Sequence, residues 1–548
     1  MKVHLTLTVA KGRCVRSPGI LRTFSITPLL LAISACTTLG PDFETPQADV
    51  DAKWQTEDAA RAPEESSAEE IESWWSVFND PVLDRLIDEG YRQNLSLQIA
   101  GLRILEARAQ LGIAVGQQYP QRQQASAGLS KTGLSENAPN FITSFIDDRY
   151  SQANIGLDAA WELDFWGRFR RGVESADASL GVSIADYDNA LVSLTAEIAT
   201  VYLNIRTFEE RLRIARNNVK TQKGSYHIAE VRYQNGAVSE LDPAQAGYLL
   251  MFTKSTVPDL EGRLQQARNA MSTLLGLTPG QLGSIMDTAG SIPEPPQTLN
   301  LGAPADLLRR RPDIRQAEMS AAAQSALVGV AETDLYPRLA LLGSVGLLSS
   351  DTGNSSLGDL FKSDSITFNY GPSASWAIFN YGRIKNQVRV QDARLQALLV
   401  NYRNTVLRAA REVEDGIASY VGARDRTAYL KQAEALAQRA VDLALIQYKE
   451  GAVDYQRVLD TQRALLDLED QYTASRGDAV RALVATYKAL GGGWKIRAGD
   501  DFVPEDVQKQ MEQRTDWGRL MDDGKLTKEL PTVPPTGGDQ PLFNRPDW

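Results

Sequence analysis

The sequence predicts a mainly α fold with a smaller β part, built from two copies of one unit. Three observations carry this. Residue landmarks recur at a fixed displacement, a heptad seam runs unbroken through each half, and a two-residue alternation precedes each seam.

The repeat comes first. WELDFWGR at 161–168 faces WAIFNYGR at 376–383, and RYQNGAV at 232–238 faces QYKEGAV at 447–453, both displaced by 215 residues. Upstream, Tyr119-Pro120 faces Tyr336-Pro337, and Leu97 faces Ile314, both at 217. Helical periodicity alone does not align a tryptophan, two glycines and an arginine at one offset. Each half therefore reads helix, strand, strand, long helix, turn, helix.

The long helix of the first half is the clearest element. Leu180, Ile184, Tyr187, Leu191, Leu194, Ile198, Val201, Ile205, Phe208, Leu212, Ala215 and Val219 alternate three- and four-residue steps. That 3.5-residue period implies a left-handed coiled coil. No proline falls between Pro139 and Pro243, and Gly172 to Asn235 is 64 residues, or roughly 96 Å of helix. The second half repeats this from Arg383 to Glu450, with Leu395, Leu399, Tyr402, Val406, Ala409 and Val413 on its seam. Gly236-Ala237-Val238 and Gly451-Ala452-Val453 mark the hairpin tips, because glycine accepts the left-handed conformation that ends many helices. After the first tip, Asp242-Pro243 reads as an N-cap followed by proline at the first helical position.

Between the helices lie the strands. Ala153, Ile155, Leu157, Ala159, Trp161, Leu163 and Phe165 alternate with polar or small residues, and Ile366, Phe368, Tyr370, Ala374, Trp376 and Ile378 do the same. The expected strands are about 121–132 and 151–165 in the first copy, and about 338–348 and 366–379 in the second, where 338–348 alternates poorly. They exceed the 9–11 residues a tilted membrane strand needs, although a soluble half-buried sheet has the same period. Four strands cannot close a barrel, and an open edge in lipid leaves backbone groups unpaired. Strands that enter a membrane therefore require at least two copies of the chain.

The N-terminus speaks for the membrane. Lys2, Lys11, Arg13, Arg16 and Arg22 precede a short apolar run, Phe24 to Ala35, that ends in Ile33-Ser34-Ala35-Cys36. The run is too short to span a bilayer but suits a signal peptide. Cys36 resembles the lipidated cysteine of bacterial lipoproteins; the plainer alternative is an incidental cysteine after an ordinary cleavage site. Removing the five basic residues takes the formal charge from −11 to −16, which argues against nucleic acid as a partner. Without Cys14 and His4, only Cys36 and His227 remain of their kinds. No disulfide framework, metal site, cofactor motif or nucleophile–base set is expected, and the chain is read as no enzyme.

The motifs then carry a resemblance. Cys36 with Gly40-Pro41, WELDFWGR at 161–168, LLRRRPDIRQAE at 307–318, the stretch from Trp376 to Val390 and YKEGAVDYQRVLD at 448–460 resemble the TolC-like outer membrane factors. Within them, the resemblance is to the NodT-type efflux lipoproteins of resistance–nodulation–division pumps. It implies a homotrimer in which a long α-helical barrel crosses the periplasm beneath a 12-stranded β-barrel, four strands per chain. It also implies an outer-membrane location, a periplasmic adaptor and an inner-membrane pump as partners, and the export of small molecules such as drugs. Matched residue by residue, Asp454, Tyr455, Gln456 and Asp460 fall in the family's periplasmic aperture, with Asp460 supplying a ring of three carboxylates. Family members often carry an apolar residue where Gln456 stands. Gly236, Ala237, Val238, Asp242, Gly451, Ala452 and Val453 fall at the tips, where the adaptor docks. Asp242 and Arg457 are further expected to latch neighbouring hairpins.

The expected organisation is a signal peptide at 1–35, a lipid-anchored tether at 36–80, repeats at 81–290 and 291–494, and a flexible tail at 495–548. Arg309, Arg310 and Arg311 read as a structural helix entrance, and Gly491-Gly492-Gly493 as a helix stop. Competing readings are an exit duct for type I protein secretion and a lipid-anchored coiled-coil spacer whose strands never enter lipid.

Overall fold

The computed structural model describes residues 38–47, 54–55, 71–135, 137, 147–286, 290–296, 310–497 and 499–521. Cys36 lies outside them. In the first half, α1 (Pro81–Gln93) and α2 (Leu95–Gly116) lead into β1 (Arg122–Gly133) and β2 (Arg149–Glu162), then α3 (Arg168–Gln234) and α4 (Leu241–Leu274). The second half follows with α5 (Pro312–Thr333), β3 (Arg338–Ser350), β4 (Ile366–Ser375), α6 (Arg383–Lys449) and α7 (Tyr455–Ala489), and α8 (Glu505–Glu512) comes last.

Local chemistry explains the boundaries. Asp80 caps α1 by accepting from the Val82 and Leu83 amides, and Asn94 caps α2 by accepting from Leu97. The long helices α3 and α6 have 67 residues each, about 100 Å at 1.5 Å per residue. WELDFWGR is the strand-to-helix turn before α3: the Asp164 carboxylate accepts from the Phe169 and Arg170 amides, 3.0 and 2.9 Å away, and so satisfies two donors that an open helix start leaves unpaired. Hence β2 ends at Glu162 and not at 165. Likewise β4 ends at Ser375 and not at 379, where the chain turns into Gly382 at φ 82°.

The four strands pair antiparallel in the order β1-β2-β3-β4, so β1 and β4 are open edges. Register puts Ala125, Leu157, Val345 and Phe368 in one row across the sheet, and Ala127, Ile155, Leu347 and Ile366 in the next. The opposite face carries Gln124, Asp158, Ser344 and Asn369. The apolar face is uncovered: Leu157, Val345, Phe368 and Tyr370 are all exposed. In β3, Leu342 and Leu348 sit out of step with the alternation, which is why that strand was the faintest in the sequence.

The helical part has two separate principal cores. The larger gathers Trp74, α1, α2, the upper α3 seam and the C-terminal half of α7; Trp74 is fully buried and stacks on Tyr487 at 5.6 Å. The smaller lies at the far end of the hairpins, around Ala229, Leu249, Tyr448, Tyr455 and Val458.

Both ends of the chain depart from expectation. Within the 36–80 tether, residues 38–47 and 71–80 are part of the body. The Arg171 guanidinium, 1% exposed, donates to the Leu39 and Gly40 carbonyls and pairs with Asp42 at 2.7 Å and Glu174 at 2.8 Å. A Cβ on Gly40 (φ 91°) would lie 2.3 Å from the Gly329 Cα, so only glycine fits there. Residues 495–521, placed in a flexible tail, also dock where they are described. Arg497 forms a buried pair with Asp188 at 2.6 Å, and the Phe502 ring stands edge-on to Tyr187 at 5.1 Å. Charge-rich composition hid this, because two anchors suffice to order a polar segment. Arg311 is structural, held by Asp313 and Glu412 at 2.8 Å each, and the triple glycine ends α7. Arg309 lies outside the described residues.

Candidate functional site at the hairpin tips

Each long helix ends in the same backbone device. Gly236 (φ 68°) and Gly451 (φ 76°) turn left-handed, and the following amides, Ala237 and Ala452, donate to the Arg232 and Gln447 carbonyls at 2.9 Å. These six-to-one bonds satisfy carbonyls that would otherwise be orphaned. Gly236, Ala237, Gly451 and Ala452 are exposed and Val238 and Val453 half-buried, so the tips present small apolar surfaces to solvent.

Behind the tips the two hairpins are joined. Tyr448, near the end of α6, donates its phenol to Asp242 Oδ2 of α4 at 2.9 Å. Arg232 of α3 donates to the Tyr448 and Lys449 carbonyls, at the negative end of the α6 dipole, and its Cζ lies 4.6 Å from the Tyr448 ring centre. Tyr448 and Tyr455 are each 1% exposed and meet edge to face at 5.2 Å. Burial pushes both phenols well above their usual range, and the Asp242 carboxylate adds to it, so both stay protonated.

A second contact joins the exposed faces of α4 and α7. Gln245 of α4 donates to Gln456 Oε1 at 3.0 Å, and Gln456 donates to Asp460 Oδ1 at 2.8 Å. Gln456 thus orients a carboxylate, which an apolar residue at that position cannot do.

The aperture residues named from sequence separate here. Asp454 is the N-cap of α7, its carboxylate facing the Arg457 amide at 3.3 Å, and Gln456 and Asp460 are exposed on one side of α7. Tyr455 is not at an open surface: it belongs to the tip core. Asp242 is not an N-cap either, since α4 begins at Leu241 after Glu240. Its carboxylate turns to Tyr448, and within the chain that bond takes the place of the expected partner Arg457. Arg232, Gln245 and Tyr448 were missed. The signal lay in the repeat itself, where Arg232 faces Gln447: a duplicated position that differs in charge marks where the copies do different work.

The edges of the helical part are apolar and uncovered. Tyr429, Leu436 and Leu443 recur at seven residues on α6 with exposures of 74%, 73% and 44%, and Leu241, Tyr248 and Phe252 stand exposed on α4. Among the described residues no helix is long and apolar enough to cross a membrane, and no group of three or more His, Cys, Asp or Glu is placed to hold a metal.

Known proteins share this arrangement. The profile of the outer membrane efflux protein family matches the chain twice, at residues 86–277 and 303–492, one match for each repeat. The pyoverdine export outer membrane protein OpmQ of Pseudomonas putida is 32% identical over 475 residues, covering 86% of this chain and 98% of its own. Nodulation protein T of Rhizobium leguminosarum bv. viciae is 29% identical over 474 residues, covering 86% and 93%. The solved outer-membrane channel OprN superimposes with a TM-score of 0.76 at 33% identity, over 83% of this chain and 99% of that one. With both halves matched and more than nine-tenths of the length of these relatives spanned, the chain belongs to the outer membrane efflux protein family.

Proposed function

We propose that the protein is the exit duct of a tripartite efflux pump, a homotrimer whose three sheets close one 12-stranded barrel. The carrying observation is a four-stranded sheet with two open edges and a bare apolar face, continuous with helices about 100 Å long. Lipid satisfies the face, and only further copies satisfy the edges. A periplasmic spacer has no use for such a sheet. The heptad-spaced Tyr429, Leu436 and Leu443 supply a seam for the neighbouring copy below the barrel.

Cys36 carries the lipid anchor in this reading. Leu39 donates to the Trp166 carbonyl at 3.1 Å, so the described chain starts beside the foot of β2, where an inner-leaflet lipid belongs. The tips receive the periplasmic adaptor, an inner-membrane resistance–nodulation–division pump drives transport, and the cargo is small molecules. Asp460 lines the narrowest point as three carboxylates, each oriented by Gln456, and attracts cations there.

Single-channel recording of the purified protein in planar bilayers, with its mass in detergent, tests this. A trimer with small, cation-selective openings is expected; a monomer that leaves the bilayer silent overturns it.

A further inference from the structure

At the foot of the sheet the duplication holds contact by contact. Trp161 donates to the Gln118 carbonyl at 3.2 Å, and its counterpart Trp376 donates to the Leu335 carbonyl at 2.9 Å. The first repeat then grips the second. Trp166 donates to the Pro337 carbonyl at 2.8 Å and packs on Tyr336, ring centres 4.8 Å apart, while Arg168 pairs with Asp334 at 2.9 Å. The counterpart of Trp166 is Tyr381, whose side chain is fully exposed, beside exposed Ile378 and Phe379. Its backbone turns left-handed at φ 48°, which that of Trp166 does not. A residue with a side chain keeps such a conformation only where its surroundings impose it.

A second unmatched counterpart lies far below. Thr207 of α3 lies so close to Gly477 of α7 that a Cβ on the glycine would fall 2.4 Å from the Thr207 hydroxyl. Their counterparts, both displaced by 215, are Gly422 on α6 and Gly262 on α4. Both are exposed, and a Cβ on either would meet open space. Glycine weakens a helix interior, so a glycine at both matching positions points to close approach by a helix from outside the chain. Gly422 is 39 residues beyond Arg383 on α6, roughly 58 Å along the helix. Lipid around the sheet does not extend so far. One partner covers both Tyr381 and Gly422: a second copy.

Resting on the duct reading above, we propose that each copy closes on the next through the same contact that joins its own two repeats. Tyr381 seats on the neighbour's Tyr119 and donates to its Pro120 carbonyl, as Trp166 does with Tyr336 and Pro337. Gly422 crosses the neighbour's Gly262, as Thr207 crosses Gly477. The strand register follows from the same rule. Ala160 and Ser375 are counterparts, and Arg122 and Arg338 stand opposite them. The pair Ala160 and Leu342 within the chain therefore becomes Ser375 opposite the neighbour's Ser126. This register continues the polar face of Gln124 and Asn369, whereas a slip by one residue would put the apolar side chains of β4 on it. The ion pairs do not carry over. Arg168 with Asp334 becomes Arg383 with Gln117, and Arg211 with Asp470 becomes Arg426 with Ser255. The joint between copies is aromatic and close-packed where the joint within the chain is ionic.

Disulfide formation and mass in detergent test it. Ser375→Cys with Ser126→Cys sets two thiols opposite each other between copies, and Ser375→Cys with Ala127→Cys sets them on opposite faces. Within one chain β1 and β4 are the two outer strands of the sheet, roughly 14 Å apart and beyond the reach of a disulfide. On oxidation the first variant is expected to yield at least ten times more linked oligomer than the second. Equal yields overturn the proposal. Tyr381→Ala is expected to raise the monomer fraction in light scattering at least tenfold, while Tyr381→Trp, which restores the residue of the first repeat, keeps the trimer. A Tyr381→Ala protein as trimeric as the parent also overturns the proposal and leaves the aromatic turn to lipid. Either failure stands beside a parent that still conducts in planar bilayers. A monomeric parent that passes no current overturns the duct reading, and the joint falls with it.

Discussion

The Tyr448 hydroxyl and the Asp242 carboxylate, 206 residues apart in sequence, meet at 2.9 Å where the two hairpins end. The bond joins α6 of the second repeat to α4 of the first, and Arg232 clamps the same tyrosine from its other side. A hydrogen bond to a charged group contributes about 1.5–3 kcal/mol. Tyr448→Phe removes it while preserving the ring that fills the tip core. Single-channel recording is expected to show the open fraction rise roughly ten- to a hundredfold. Unaltered gating shows that this bond does not restrain the hairpins.

Asp460→Ala removes the carboxylate that Gln456 orients and that symmetry repeats three times in the proposed trimer. Cation selectivity and block by multivalent cations are expected to fall together, with trimer mass unchanged. Reversal-potential measurements in a salt gradient decide it: an unchanged potential places the constriction elsewhere.

Leu436→Asp puts a charge in the middle of the exposed α6 seam, at a residue 73% exposed in the single chain. A charge that must be buried in a helix–helix interface is costly, so the detergent-solubilised protein shifts from trimer toward monomer in light scattering. Fold within the protomer is unaffected, since no packing among the described residues depends on this exposed side chain.

Arg497→Ala removes the guanidinium that pairs with Asp188, whose side chain is 1% exposed. Breaking a buried pair from one side costs about 3–5 kcal/mol. A large drop in the thermal unfolding midpoint is expected, together with faster proteolysis after residue 494. A change within the scatter of surface variants counts against the docking of this segment.

Glu469→Gln tests a half-buried carboxyl. Burial raises the Glu469 pKa and the nearby Glu434 adds to it, while the Asn218 hydrogen bond and Arg213 work against the rise. A folded-state pKa above the unfolded value contributes stability at low pH that is lost as pH rises through the folded pKa. Glutamine cannot ionise and keeps an acceptor for Asn218. Relative to the parent, the variant is therefore expected to gain stability at pH 8 and not at pH 4, measured by denaturant unfolding. An equal effect at both pH values overturns the assignment.

Much of the architecture was legible because it is periodic. The heptads of α3 placed Leu191, Ile198 and Ile205 in a core where they are fully buried, and Gly236 and Gly451 marked both tips. Alternation found β2 and β4, and failed at β3, where Leu342 and Leu348 break step. Local pattern misjudged the ends. Residues 38–47 and 495–521, where described, are polar and proline- or acid-bearing, and contacts from distant helices, among them those of Arg171, Asp188 and Gly101, bind them to the body.

The sequence by itself determined the duplication, the two long hairpins and the strand pairs, because each follows from spacing along the chain. Only the tertiary structure decided what joins the hairpins. That Asp242 serves Tyr448 and caps nothing, that Tyr455 is core, and that Arg211 of α3 pairs with Asp470 of α7 all depend on how one helix is rotated against another. Rotation is set by packing of residues far apart in the chain, and a heptad fixes which face is apolar without naming the partner that the polar faces will meet.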